Sequence, residues 1–247
     1  MNDAEGDRNG PRKNPVMTRE PSQALSTDVA GSGAVSALLT MPAAARAAYV
    51  LAHGAGAGMH HPFMAAVASG LARRGVATLR FQFPSMERAS RRPDPPRVAH
   101  AAVRAAVGEA RRRLGALPLF AGGKSFGGRM TSQAQSQAPL AGVMGLVFLG
   151  FPLHPAGRPG DERGEHLARV ACPMLFVQGS RDELADVAFV TALVDRLGPR
   201  ATLAMFDDAD HSFHVRARSG SNDAEVLEHL LDTVVAWIER VCATPSP

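Results

Sequence analysis

The sequence predicts an α/β protein: a mostly parallel, doubly wound sheet covered by helices on both faces. Three observations predict it. Short apolar runs recur from residue 34 onward and are continuous in hydrophobicity, as strands buried on both faces require. Between most of them lie stretches whose apolar residues recur at spacings of three and four, the helical period. Strand and helix patterns therefore alternate, the order that sets parallel strands side by side with helices crossing over the sheet. The 247 residues are 45% hydrophobic and 20% charged, which excludes disorder, collagen and coiled coil as readings of the whole chain.

Residues 1–30 read as a flexible tail. They are rich in Gly, Pro, Asn, Asp and Ser, and the bases Arg8, Arg12, Lys13 and Arg19 balance Asp3, Glu5, Asp7 and Glu20. Met17 is an alternative start within this segment. Residues 31–247 are expected to form a single domain. Its strands are expected at 34–39, 47–52, 77–83, 117–121, 143–149, 174–177 and 202–206. Helices are expected at 61–74, 98–114, 126–137 and 187–197; in the second, Val103, Val107, Ala110 and Leu114 share a face that Arg104, Arg111 and Arg112 avoid. The last helix has the clearest signal. Asn222 with Glu225 marks its start, and Val226, Leu230, Val234, Ile238 and Val241 then recur at helical spacing.

Several function classes are excluded by what the chain lacks. No apolar run reaches the length of a membrane span, and the first thirty residues have no apolar core of the kind a secretory signal needs, so a cytoplasmic protein with no membrane partner is expected. Cys172 and Cys242 are far apart and without metal spacing. Neither a disulfide framework nor a zinc site is encoded, and both are expected to be buried, structural thiols. The chain is basic, with 27 Lys and Arg against 23 Asp and Glu. Only Lys13 and Lys124 are lysine, and the arginines are spread among acids with few aromatics between them, which describes a solvated surface and no nucleic-acid partner. Nothing in the pattern specifies an oligomeric state.

After the strand at 117–121 come Gly122-Gly123-Lys124-Ser125-Phe126-Gly127-Gly128 and then a helix. G-x-S-x-G between strand and helix puts a serine on a sharp, strained turn, with Gly123 and Gly127 removing side chains that would collide and Lys124 completing the elbow. Ser125 Oγ then stands above the sheet edge, and the next helix aims its N–H groups and positive dipole end at the reacting centre. A plain Gly-rich turn is the simplest alternative. A phosphate loop is another, since Gly-Lys-Ser ends the Walker pattern, but that pattern needs Gly five residues before Gly123 and the position holds Pro118.

A nucleophilic serine needs a base, and the base needs an orienter. Strand 174–177 runs into Gln178-Gly179-Ser180-Arg181-Asp182, and strand 202–206 into Asp207-Asp208-Ala209-Asp210-His211. Asp182 and His211 therefore lie just past carboxyl ends of strands, where a doubly wound sheet exposes its site. The order Ser125, Asp182, His211 is the Ser, acid, His order of α/β-hydrolases. Asp207, Asp208 and Asp210 compete as orienter, but they are too near His211 in sequence to reach its ring from a separate loop. For the oxyanion, one donor is expected in the N–H of Phe126. The second is expected in the loop His53-Gly54-Ala55-Gly56-Ala57-Gly58 after strand 47–52, from Ala55 first and Gly56 second.

The remaining histidines are weighed against plainer roles. His53 is expected to order its loop, and with His154 and Phe83 it is placed around the pocket. His154 reads equally as pocket wall and as simple loop residue. His60 and His61 are adjacent at a helix start without third and fourth ligands, so no metal is assigned to them. His214 competes with His211 from further along the loop, while His100, His166 and His229 read as surface.

The elbow Gly-Lys-Ser-Phe-Gly-Gly, the His-Gly-Ala-Gly-Ala loop, Gln-Gly-Ser-Arg-Asp and Asp-His-Ser-Phe together resemble the small α/β-hydrolases related to dienelactone hydrolase. Within them the chain is similar to the lidless group that supplies the hydrolase-like domain of the eukaryotic NSL-complex subunit and of testis-expressed proteins. The resemblance spans about residues 34–241 and implies an α/β-hydrolase fold without a cap domain, a triad of Ser125, Asp182 and His211, and no cofactor. Two positions depart from it. Dienelactone hydrolases proper carry Cys where this chain has Ser125, and Gln82 in Phe81-Gln82-Phe83-Pro84 stands where Asn is expected. The expected activity is hydrolysis of a small-molecule ester or thioester through an acyl-enzyme on Ser125; the rival is a catalytically silent scaffold of the same fold. Only residues 150–171 separate two strands where a cap is usually inserted, so the site is expected to be open, with an Arg-rich loop from Arg88 to Arg97 on its rim.

Overall fold

The continuous apolar runs become one eight-stranded sheet in the computed structural model, which describes residues 21–244 other than Arg91. The strands are β1 (Ser22–Val29), β2 (Gly33–Thr40), β3 (Ala47–Ala52), β4 (Val76–Phe81), β5 (Leu119–Lys124), β6 (Val143–Leu149), β7 (Met174–Gly179) and β8 (Ala201–Phe206), in the order β1-β2-β4-β3-β5-β6-β7-β8. Pairing is antiparallel from β1 to β2 and β2 to β4, and parallel from β4 through β8. The chain steps from β3 outward to β4 and then returns to the other side of β3 as β5. The crevice of such a sheet opens at that reversal, beyond the carboxyl ends of β3 and β5.

Helices α1 (Pro62–Arg73) and α6 (Asp223–Ala243) cover one face; after the one-turn α2 (Pro84–Glu87), α3 (Pro96–Leu114), α4 (Phe126–Gln137) and α5 (Val187–Leu197) cover the other. The period of a strand is visible in β3, where Ala48, Val50 and Ala52 enter the core under α3 and α4 while Ala47, Tyr49 and Leu51 enter the core under α1 and α6. Each fully buried Leu, Val or Phe in these two cores contributes roughly 1.5–3 kcal/mol relative to exposure. Asn222 caps α6 in a capping box with Glu225, as its sequence predicts. Among the described residues no helix is long and apolar enough to cross a membrane.

Four expectations are corrected. The boundary at residue 30 is too late, because Ser22–Val29 is an edge strand of the sheet. Its composition is polar because one side faces water, while Thr27 and Val29 turn inward and Leu25 is half-buried, an alternation that composition alone hides. Met17 and the charges of the tail lie outside the described residues. The strand expected at 117–121 is displaced to Leu119–Lys124 and runs through the glycines to the residue before Ser125. Of the cysteines, Cys172 is half-buried and burial pushes its thiol up to about 11, but Cys242 is exposed on the last turn of α6. His100 and His166 are buried, the first against Gln133 and the second against Ser132, because α3 and the short 3₁₀ segment Glu162–Arg169 pack on α4.

Candidate active site

Ser125 follows directly on β5, whose glycines let the strand pass very close to its neighbours. A Cβ on Gly123 would lie 2.1 Å from the Ala52 carbonyl oxygen of β3, and one on Gly127 would lie 2.5 Å from the same atom. The glycines of the elbow are thus required by the adjacent strand as well as by the turn. Ser125 has φ 50° and ψ −116°, a conformation costing a non-glycine residue on the order of 1–3 kcal/mol, and its N–H donates to Leu149 O in β6. Phe126 opens α4, so its N–H belongs to the first turn that has no partner within the helix.

His211 comes from the loop after β8. Its Nε2 is 2.9 Å from Ser125 Oγ, and its Nδ1 is 2.7 Å from Asp182 Oδ2. The Asp182 carboxylate has no exposure and every close contact is a donor: Gln178 Nε2 at 2.5 Å on Oδ2 and Leu184 N–H at 2.8 Å on Oδ1. Gln178, itself anchored by the Phe151 N–H, is a site residue that motif reading missed; a Gln inside an otherwise apolar buried strand was its signal. Two of the competing acids are engaged elsewhere, and Asp207 is exposed. Asp208 pairs with Arg216, and Asp210 accepts from the N–H groups of Ser212 and His214. His214 pairs with exposed Asp223, which raises its pKa.

A cleft of about 400 Å³ opens beside Ser125 and His211. Gly54, Ala55 and Ala57 form one wall, His61, Phe63 and Met64 of the α1 start another, and Leu184, Ser212 and Lys124 close it. Phe63, Met64, Leu184 and Ser212 were not singled out from sequence, and His61 was weighed only as a metal ligand, because only the turn of the chain brings them together. Ala55 is among the lining residues of the cleft, whereas Gly56 is not and holds a left-handed φ of 70°.

Three pocket expectations are corrected among the described residues. His53 is buried behind the wall: its Nδ1 meets Gly54 O at 2.7 Å and its Nε2 accepts from the Phe83 N–H, so it ties the Gly-rich loop to the segment after β4. Burial lowers its pKa, consistent with a neutral ring in that double role. Phe83 is buried against the rings of His53, Phe81 and Phe126. His154 accepts from the Asp186 N–H and donates its own N–H to Leu184 O, which fixes the segment carrying Leu184 into the cleft. Gln82, the departure from the expected Asn, accepts from the Met59 N–H and so braces the same loop that His53 holds. The Arg-rich loop does not reach the cleft: Arg88 pairs with buried Asp94, which folds the loop onto the short helix Pro84–Glu87. Arg91 lies outside the described residues.

Lys124 is the one charged cation among the lining residues. Its Nζ donates to His211 O at 2.5 Å and lies 5.5 Å from the centre of the Phe213 ring. Burial lowers its pKa to about 8, against the opposing pull of Asp182 and Asp210.

A model of the alpha/beta hydrolase domain matches residues 45–239. Similar solved structures include an α/β serine hydrolase without lid from Xanthomonas campestris, 23% identical with a TM-score of 0.69, covering 95% of this chain and 100% of that one. A dienelactone hydrolase from Anabaena variabilis is 20% identical with a TM-score of 0.72, covering 90% of this chain and 99% of that one. Est1E from Butyrivibrio proteoclasticus is 16% identical with a TM-score of 0.69, again over 90% and 99%. The fold, the open sheet and the matched span agree: the chain belongs to the alpha/beta hydrolase family.

Proposed function

We propose that the protein hydrolyses small esters or thioesters through an acyl-enzyme on Ser125. One observation carries the reading: an unbroken hydrogen-bonded relay, Ser125 Oγ to His211 Nε2 to Asp182 Oδ2, whose outer end opens on the cleft. Ser125 Oγ attacks the carbonyl carbon as His211 Nε2 takes its proton. The N–H groups of Phe126 and Ala55 receive the oxyanion, and His211 returns the proton to the departing alcohol or thiol. Water, deprotonated by the same nitrogen, then attacks the acyl-enzyme and releases the acid. Asp182, held by Gln178 and Leu184, keeps the Nδ1–H tautomer that leaves Nε2 free to accept.

The small, open cleft supports short acyl chains. Each further methylene would bury little surface and gain much less than the roughly 0.8 kcal/mol of full burial. Two measurements test the reading. A fluorophosphonate probe should label Ser125 in the folded protein and not after heat denaturation. Hydrolysis of p-nitrophenyl esters should be fastest for acetate or its near homologues and should show no jump when substrate forms micelles. A folded protein that neither labels nor turns over any ester or thioester would instead be a silent scaffold.

A further inference from the structure

We propose that Lys124 is a positioning residue for His211, clamping the backbone of the base from the nucleophile's own strand. This inference rests on the triad reading above. The loop 207–214 turns through two left-handed non-glycine residues, Asp208 at φ 57° and Phe213 at φ 63°, on either side of His211. A conformation of that kind persists only where its surroundings over-determine it. Asp210 closes the loop on itself through the N–H groups of Ser212 and His214, and the Arg181 N–H holds Ala209 O from the β7 side. On the Ser125 side the backbone tie is Lys124 Nζ on the carbonyl of His211.

The surroundings are shaped for this ammonium. Gly150, at the end of β6 with φ 70°, leaves the space it occupies: a Cβ there would lie 2.8 Å from Nζ and 3.4 Å from His211 Nδ1. The Phe213 ring presents its face to the same charge, and Phe213 is stacked in turn on Phe63 of the cleft wall. Even a half-buried lysine is costly, and an apolar side chain could fill the same space without that cost. The groups facing it are His211 and Asp210 on the His loop, Asp182 beyond β7, Ser125 beside it, and His61 across the cleft. Because its pKa is lowered to about 8, the ammonium becomes an amine within the working range of a hydrolase. The neutral form loses its charge-assisted bond and its attraction to the ring, and the clamp weakens.

The test is the pH dependence of kcat and KM for p-nitrophenyl acetate with wild type, Lys124→Met and Lys124→Arg, each first shown to fold by circular dichroism. Wild type should lose rate on the alkaline side with a midpoint of about 8. Lys124→Met should lower kcat by about 10- to 100-fold, with KM within about twofold, and should lack that alkaline fall. Lys124→Arg, which stays charged, should recover part of kcat and also lack the fall. If Lys124→Met does not fold, Lys124→Gln carries the same expectations. Unchanged kcat in the neutral variants, the same alkaline fall in them, or a loss residing entirely in KM would overturn the proposal. A wild type without Ser125-dependent turnover would overturn the triad reading and this proposal together, whereas a Ser125-dependent wild type with unaffected neutral variants overturns this proposal alone.

Discussion

Two of the serines on helix α4 and its N-terminal turn lie within hydrogen-bond distance of a histidine Nε2. Ser125 Oγ is 2.9 Å from His211 and Ser132 Oγ is 2.7 Å from His166. The second pair is the shorter, yet it has none of the features on which the proposed mechanism of the first rests. His166 faces Arg169, Arg129 and His100 where His211 faces Asp182; burial first and then these neighbours push its pKa down to about 4. Ser132 sits on a regular helix, also bonded to Arg129 O, while Ser125 stands on a strained turn at the cleft. A serine–histidine contact becomes a catalytic unit only with an orienting carboxylate, a strained presentation and access. Without them it is a core hydrogen bond.

The most direct way to break this comparison is to delete each hydroxyl. Ser125→Ala or His211→Ala should lower turnover by on the order of 10⁴-fold or more while the fold remains, and the double variant should be little worse than either single one. Ser132→Ala should leave turnover within a few-fold and lower stability by about 1–3 kcal/mol, because it strips a buried partner from His166. Ester hydrolysis and denaturant unfolding on the four proteins decide it. An inactive, folded Ser132→Ala would show that the two pairs are not independent.

The carboxylate is the next feature to remove. Asp182→Asn keeps the shape of the relay but no longer enforces the Nδ1–H tautomer, so turnover should fall by on the order of 10³- to 10⁴-fold. Asp208→Asn and Asp210→Asn should cost far less, since neither touches the His211 ring among the described contacts. A variant of Asp210 as damaging as that of Asp182 would reassign the acid.

How the sequence exposed one pair and hid the other follows from where their signals lie. The elbow, the acid and the base each fall just past a strand end, a position the apolar runs mark along the chain, so Ser125, Asp182 and His211 were legible one by one. His166 was misread as surface because its burial depends on a 3₁₀ segment with no helical period of its own docking on α4. The cleft walls failed to show for the same reason: Leu184 and Phe63 meet only through the topology. The edge strand β1 was masked by its polar outer side. Removing residues 22–29 should accordingly cost stability, on the order of 2 kcal/mol or more, by taking the buried Thr27 and Val29 out of the fold and exposing the edge and apolar side of β2. Chemical denaturation of a protein beginning at residue 31 measures it, and an unchanged midpoint would show the strand to be dispensable.

The smallest expected effect comes from the protons the hidden pair excludes. A histidine takes up its proton near pH 6.5 when unfolded, while His166 in the fold resists it down to about 4. Between these values the unfolded chain binds more protons, so stability falls as the pH drops from about 6.5 to about 4 and levels off below. His53 and His100, whose pKa values are also lowered by burial, act in the same direction. Exposed His214 acts in the opposite one: Asp223 raises its pKa, so its contribution is present in acid and is lost as the pH rises through that raised value. After allowance for partial solvent access, His166 alone should account for on the order of 1–2 kcal/mol. In thermal melts across this range, His166→Asn, which has no proton to exclude, should flatten the decline, while His214→Asn should leave it or steepen it slightly. A decline of equal slope in wild type and His166→Asn would mean that His166 accepts its proton inside the fold as readily as outside it. The contrast with His211 would then rest on the orienting carboxylate and the open cleft alone.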